Sequence, residues 1–390
     1  MGRITSSAER VEPSGIREIV NLVIGRPDAD LIRLEIGEPG FATPDHIVAA
    51  GCEGATSARY APSAGHAWLR EAVSNRLQRV HRLDVDPQDV IVSQGAVQAC
   101  AVTFAALLEP GAEVLIPDPA WPNYEMLATM FGAIPVRYPL RARDGFVPDP
   151  DEVAALVTDR TAVIVLNSPG NPTGSVIPRA EVQELVDLAV RRDLVLLSDE
   201  VYDELIFEGE PANALAIDHE HVVGVYSFSK TYAMTGWRVG YAVAPKWLSP
   251  TLAKLQEPML SCIADLSMAG ALAALEGPQD AVISMRDSYR ERRDLAISLL
   301  QAGGLDIAIP QGAFYMMLPL AGGVNGRRAA LDLVDHGVST APGTSFGKVA
   351  GDHLRLSLAS EEPELREGIR RILDWYERTS GGAGCPEVTG

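Results

Sequence analysis

The sequence predicts an α/β protein: a mostly parallel sheet covered by helices on both faces, followed by a smaller α+β unit. Three observations carry that expectation. Short runs dominated by Val, Ile and Leu recur from VIVSQG at residue 90 to RVGYAVA ending at residue 244, and runs this apolar read as strands buried on both faces. The polar stretches rich in Gly and Pro fall where those runs end, which is the crevice side of a parallel sheet. Beyond Gly304 the strands shorten and mix with helices, so the alternation that builds a parallel sheet stops there.

In chain order, residues 1–46 read as an arm. A helix is expected over Val11–Ile24, then LIRLEIGEPGF as a strand entering a turn, where Gly37 and Gly40 let the backbone approach a neighbour closely. From Thr43 to Val80 the pattern is helical except for SARYAPSAG, whose Pro62 and Gly65 force an extended loop around Tyr60. VIVSQG then leads into the helix AVQACAVTFAALL, and GAEVLIP into a helix over Tyr124–Phe131. IPVRYPL, TAVIVLN, LVLLSDE, VVGVYS and RVGYAVA follow as strands. Residues 278–302 form a long amphipathic helix, and AFYMML, VSTAP and HLRLSLA are strands among helices at 327–336 and 361–377. The expected division is 1–46, the arm with part of a small domain; 47–285, a large domain; 286–378, the small domain; and 379–390, a disordered tail.

Composition narrows the function. A net charge of −19 argues against a phosphate-backbone binder, so no nucleic acid is expected as a partner. Cys52, Cys100, Cys262 and Cys385 are scattered without CxxC spacing, which suits free thiols in a reducing compartment, with the cytoplasm as the default. MGRITSSAER lacks the apolar core of a signal peptide, and no run is long enough to span a membrane. MGRITS matches a myristoylation pattern that is short and often met by chance. Asp218, His219, Glu220 and His221 lack zinc-type spacing and read as a solvated loop, so no metal is expected.

Four stretches carry chemistry. SQGAVQA is a glycine turn leading from a strand into a helix, whose free backbone N–H groups suit an anion. Trp121 follows a strand end, where its ring can stack on a planar ligand or pack into the core. NSPGNPTG fixes a loop from which Asn171 offers an amide, and LVLLSDEVY ends an apolar strand on Asp199, which needs a cationic or hydrogen-bonded partner, with Tyr202 three residues later. YSFSKTYAMTGWRVGY connects two strands and places Lys230 among apolar neighbours, where burial lowers an amine's pKa and frees it as a nucleophile. Ser227 and Arg238 flank that lysine and can hold a phosphate as hydroxyl donor and fixed cation.

With NSPGNPTG, SDEVY and SFSKTYAMTGWRVGY in this order, the chain resembles the fold-type I, class I/II aminotransferases, closest to their aspartate and aromatic branch, over about residues 10–377. The resemblance implies pyridoxal 5′-phosphate as cofactor and Lys230 as its Schiff-base lysine. It implies Asp199 as partner of the pyridine nitrogen, and Tyr202 and Asn171 as donors to the ring 3′-oxygen. Gly95, Ala96, Val97, Ser227, Arg238 and Ser229 would form the phosphate cup, with Trp121 stacked on the ring. Tyr60 would reach the phosphate of a neighbouring subunit, making a homodimer with shared sites. Arg355, beside Gly37, would bind the substrate carboxylate.

Transamination between an L-amino acid and a 2-oxo acid is therefore the expected activity, with Lys230 moving the Cα proton. The same scaffold supports other reactions, so a carbon–sulfur β-lyase is the alternative, and an aminotransferase-like regulatory sensor a more distant one. Some dicarboxylate-specific members of the family place a lysine where this chain has Val97. Ile16 and Ile36 are further apolar candidates for the substrate side chain, so a neutral, apolar or aromatic donor is expected, and Arg17 could swing in for glutamate.

Overall fold

The computed structural model describes residues 4–26, 30–57, 59–210 and 212–379. Its largest element is a seven-stranded sheet in the spatial order Val90–Ser93, Gly240–Val243, Val222–Ser227, Val195–Asp199, Thr161–Asn167, Glu113–Asp118, Ile134–Pro139. Neighbours pair in parallel except around Gly240–Val243, which runs antiparallel to both strands beside it. The predicted α/β fold with a mostly parallel sheet is the one observed.

Alternate residues of each central strand enter different cores, as the two-residue period of a strand requires. Val163, Val165, Val195, Leu197, Val223 and Val225 belong to one core. Ile164, Leu166, Leu196 and Val222 belong to the other. The first core is closed by residues of the helix Gly95–Leu107, among them Ala99, Val102 and Phe104. The second is closed by the helices Ala67–His81, Arg179–Arg192 and Asp265–Glu276. Burial on both faces explains why these strands lack polar alternation.

After the 23-residue helix Asp280–Ala302 comes a three-stranded antiparallel sheet in the order Ala341–Pro342, His353–Ser357, Tyr315–Pro319. The arm joins this part of the chain, because Ile32–Arg33 pairs in parallel with Val338–Ser339.

Local expectations shift in four places. The helix expected from Val11 begins at Gly15, because the Ser14 side chain caps it by accepting from the Ile16 N–H, and a separate short helix occupies Ser6–Glu9. The strand expected from LIRLEIGEPGF is only Ile32–Arg33, extended by the Leu34 N–H bonding to the Ser339 carbonyl. VSTAP divides into two short strands serving different sheets. The last helix, Glu362–Thr379, takes in the first residue of the expected tail, and residues 380–390, Cys385 among them, lie outside the described residues.

Candidate active site

The carboxyl ends of Thr161–Asn167, Val195–Asp199 and Val222–Ser227 open on a cleft of about 950 Å3, roofed by the arm and by Tyr315 and Arg355 of the small sheet. Ile16, Gly37, Ala96, Val97, Trp121, Asn171, Asp199, Tyr202, Ser227, Ser229, Lys230, Arg238 and Arg355 all line it, so residues scattered over the sequence meet in one place. Two expected site residues stand outside that lining. Gly95 sits behind Arg238, and Tyr60 is 91% exposed.

Lys230 lies in the short helix Phe228–Thr231, directly after the strand Val222–Ser227. Its Nζ donates to the Gly37 carbonyl at 2.6 Å. Burial lowers its pKa from 10.5 to about 8, with Glu38 opposing that shift and Arg355 and Arg238 reinforcing it. An amine so placed is neutral in an appreciable fraction of molecules near neutral pH and can act as nucleophile or base.

Asp199 ends its strand with almost no exposure. Burial raises its pKa to about 6, while hydrogen bonds from the Tyr124 hydroxyl and, at 3.2 Å, the Val201 N–H, together with the Lys230 charge, pull it back. A cation against this carboxylate would hold it ionised. Trp121 lies edge-on to Tyr124, with ring centroids 5.3 Å apart.

At another side of the cleft, Gly95 opens the helix Gly95–Leu107, whose N-cap Gln94 makes no side-chain cap bond, so the first-turn N–H groups lack that partner. Gly95 has φ +75°, and a Cβ there would stand 2.7 Å from Arg238 Nη2, so only glycine admits the guanidinium. Arg238 is held by the Thr235 carbonyl at 2.8 Å. Ser227 Oγ accepts from the Ser229 N–H at 3.1 Å. Helix terminus, guanidinium and hydroxyls together make an anion site.

Arg355 is buried, which lowers its pKa. It donates to Asn171 Oδ1 at 3.0 Å and to the Glu35 carbonyl at 2.6 Å, and its guanidinium stacks 4.4 Å from the Tyr315 ring centre. Its Nε is buried without a hydrogen-bond partner among the described residues, and the residue lines the cleft. A Cβ on Gly37 would meet the Tyr315 hydroxyl at 2.9 Å, so glycine is what lets the arm close over this arginine.

Three residues that the sequence reading did not single out complete the site. Tyr124 holds Asp199, from the first turn of the helix Asn123–Met130 that follows Trp121. The Tyr315 and Tyr202 hydroxyls lie 3.0 Å apart, and a tyrosine inside the apolar run AFYMML was the only sign. Asn167 orients the loop, accepting from the Asn171 N–H at 2.9 Å and donating to the Asp199 carbonyl at 2.9 Å.

The chain belongs to the class I and II aminotransferases: the family model Aminotransferase class I and II matches residues 29–372. It is similar to the aspartate/prephenate aminotransferase of Thermus thermophilus, 39% identical over 361 residues, covering 90% of this chain and 92% of that one. It is 38% identical over 350 residues to an arginine–pyruvate transaminase of Pseudomonas aeruginosa, covering 88% and 89%. Among solved structures, a Thermus thermophilus aspartate aminotransferase with maleate has a TM-score of 0.92 at 36% identity, covering 96% of this chain and all of that one. A tetra mutant of the Thermus enzyme, complexed with tryptophan, matches equally well, with a TM-score of 0.92. The protein is thus an aminotransferase of the pyridoxal-phosphate-dependent, fold-type I kind.

The site can be tested against that cofactor from its own donors. An anion cradle that a Cβ at Gly95 would fill, a buried carboxylate short of a cation and a lysine of lowered pKa stand around one cleft. They fit a ring with a phosphate at one end, a protonatable nitrogen at another and an aldehyde between. Among the described residues no helix is long and apolar enough to cross a membrane.

Proposed function

We propose that this cleft binds pyridoxal 5′-phosphate through Lys230 and transfers the amino group of a neutral, apolar or aromatic L-amino acid to a 2-oxo acid. The observation that carries the reading is the single cleft in which Lys230, Asp199, Arg238 and Arg355 meet. In this reading Gly95, Ala96, Val97, Ser227, Ser229 and Arg238 hold the phosphate, Trp121 covers the ring, and Asp199 keeps the ring nitrogen protonated. Asn171 and Tyr202 hold the ring oxygen. When bound, the cofactor supplies an electron sink for the pair released at the substrate Cα.

The chain's residues do the rest. Arg355, which lines the cleft, grips the α-carboxylate and so orients the Cα–H bond. Lys230 Nζ takes the Cα proton, and its pKa near 8 suits a base working near neutrality. Tyr124 fixes the carboxylate of Asp199, so that its charge faces the cleft.

The donor preference rests on Ile16, Val20, Ile36 and Val97, which line the cleft. Burying apolar surface there contributes about 25 cal/mol per Å2. The relatives differ in this respect, one being named for aspartate and prephenate and another for arginine.

We also read the protein as a homodimer in which Tyr60, 91% exposed here, completes the neighbour's phosphate site. Residues 47–285 are taken as the cofactor domain, and 286–378 with part of the arm as the small one. The free cysteines Cys52, Cys100 and Cys262 suit the cytoplasm. Half-reaction rates across an amino-acid panel test the preference. Leucine, methionine or phenylalanine should lead, and aspartate clearly ahead of them would overturn it. Pyruvate or ammonia released without added 2-oxo acid would favour the β-lyase alternative.

A further inference from the structure

A buried carboxylate outside the cleft fastens the large sheet to the small one. Asp118 closes the strand Glu113–Asp118 and is buried, yet it takes no part in lining the cleft. Its Oδ2 accepts from the Lys348 N–H at 3.0 Å and its Oδ1 from the Val349 N–H at 3.1 Å, so one side chain clamps two successive main-chain groups. Arg137, on the neighbouring strand Ile134–Pro139, adds a further point of attachment. Its Nη1 lies 3.9 Å from Asp118 Oδ2 and donates at 3.1 Å to the Phe346 carbonyl, which also accepts from the Ala120 N–H at 2.8 Å. A Cβ on Gly347 would stand 1.9 Å from Asp118 Oδ1, so glycine is what lets the carboxylate reach this loop.

The clamped loop is the one that joins the two strands around Arg355. It leaves Ala341–Pro342 and returns as His353–Ser357, and Ala341 is the register partner of Arg355. Phe346, within the loop, has no exposure, and its ring centre lies 4.9 Å from the Arg355 guanidinium carbon. The Tyr315 ring approaches the same carbon at 4.4 Å. Two aromatic rings thus bound the guanidinium, and Asp118 and Arg137 hold one of them in place.

We propose that Asp118 is a positioning residue for substrate binding: with Arg137 it clamps loop 343–352 to the large sheet, and through Phe346 it sets the orientation in which Arg355 meets the substrate carboxylate. The inference rests on the aminotransferase reading above, which gives Arg355 the carboxylate, and adds to it a residue that touches neither substrate nor cofactor. Paired hydrogen bonds from a planar guanidinium to a carboxylate demand a fixed plane. A ring anchored through its own main chain supplies that plane before the substrate arrives, so less side-chain freedom is lost on binding.

The test measures binding of 3-phenylpropionate and of 3-phenylpropan-1-ol, the alcohol of the same skeleton, to the cofactor-loaded enzyme by calorimetry. Wild type should favour the acid by about tenfold or more, as a charge-assisted pair supports. Asp118→Ala leaves Arg137 paired with Glu125, so no cation is left without a partner. It should lower the acid-to-alcohol ratio about tenfold while the alcohol's affinity stays within about twofold, as expected when only the carboxylate's partner is misplaced. Asp118→Asn keeps a side-chain acceptor for the loop and should recover part of the loss. Phe346→Leu leaves the clamp in place and removes the ring, and should lower the ratio about threefold, which decides the matter if Asp118→Ala does not fold. An unchanged ratio in the folded Asp118→Ala protein, or equal losses for acid and alcohol, would make the clamp purely structural and overturn the proposal. Where that variant does not fold, an unchanged ratio in Phe346→Leu does the same. Failure of the aminotransferase reading would look different: no amino acid would convert the wild type's bound cofactor, whatever the ratios in the variants.

Discussion

The two halves of the cleft are built differently. On the sheet side, Asp199, Asn167 and Ser227 end buried parallel strands, and Lys230 follows within three residues of such an end. Asp199 is paired on both sides, with Asn167 and Val225, and Ser227 pairs with Gly240, so a short motif suffices to set the geometry. On the arm side, Ile16 and Arg17 stand on a ten-residue helix, and Arg33 on a two-residue strand. What holds them is tertiary: the Arg33–Glu35–Ser339 bonds and the exposed ion pair of Glu18 with Arg327. In the reading proposed above, the chemistry sits on this rigid half and the choice of donor side chain on the arm half.

That contrast predicts a gradient of mutational effects. Lys230→Ala should lower turnover by about four orders of magnitude, the upper end of what a positioned acid–base group contributes. Turnover within tenfold of wild type would break the comparison at once. Asp199→Asn keeps the shape and the Tyr124 contact but loses the charge. It should cost about a hundredfold to a thousandfold in kcat, as loss of a preorganised electrostatic partner does, with a smaller change in denaturation midpoint. Near-normal kcat would make Asp199 structural. Tyr124→Phe leaves Asp199 one donor short and should lower kcat about tenfold, consistent with a hydrogen bond to a charged group. An effect no larger than that of Ile16→Ala would remove Tyr124 from the rigid half.

The Lys230 amine also makes a prediction about pH. Its pKa in the folded chain, about 8, lies below the ordinary 10.5, so between those values the unfolded chain binds more protons and stability rises with pH. In the cofactor-free protein, Lys230→Met should therefore be more stable than wild type at pH 7, by up to about 3 kcal/mol. The gap should close as pH passes 8 and approaches 10.5. Denaturant titrations of both proteins at several pH values measure it. A gap independent of pH would mean that the amine is not desolvated.

The same contrast explains what was legible in the sequence. The strands were, because burial on both faces leaves continuous apolar runs such as TAVIVLN and VVGVYS. Asp199 and Lys230 were, because a charge at the end of such a run needs a reason. Arg33 was not. Its partner in the strand register, Ser339, also bonds Glu35 from 304 positions away, and in LIRLEIG the alternation of Arg33, Leu34 and Glu35 reads only as a half-exposed strand. Nothing local shows that Glu35 is fully buried. Tyr315 was hidden for a similar reason, since its contacts with Tyr202 and Gly37 are made across the fold. The helix start at Gly15 was misplaced because propensity does not choose between Val11 and a chain capped at Ser14.

The measurement closest to the central claim is chemical. Borohydride reduction of the purified, cofactor-loaded protein, followed by proteolysis and peptide mapping, locates the residue that carries pyridoxal phosphate. The label is predicted on Lys230, in the peptide containing SFSK. A label on Lys246, Lys254 or Lys348 instead would contradict the account of the site.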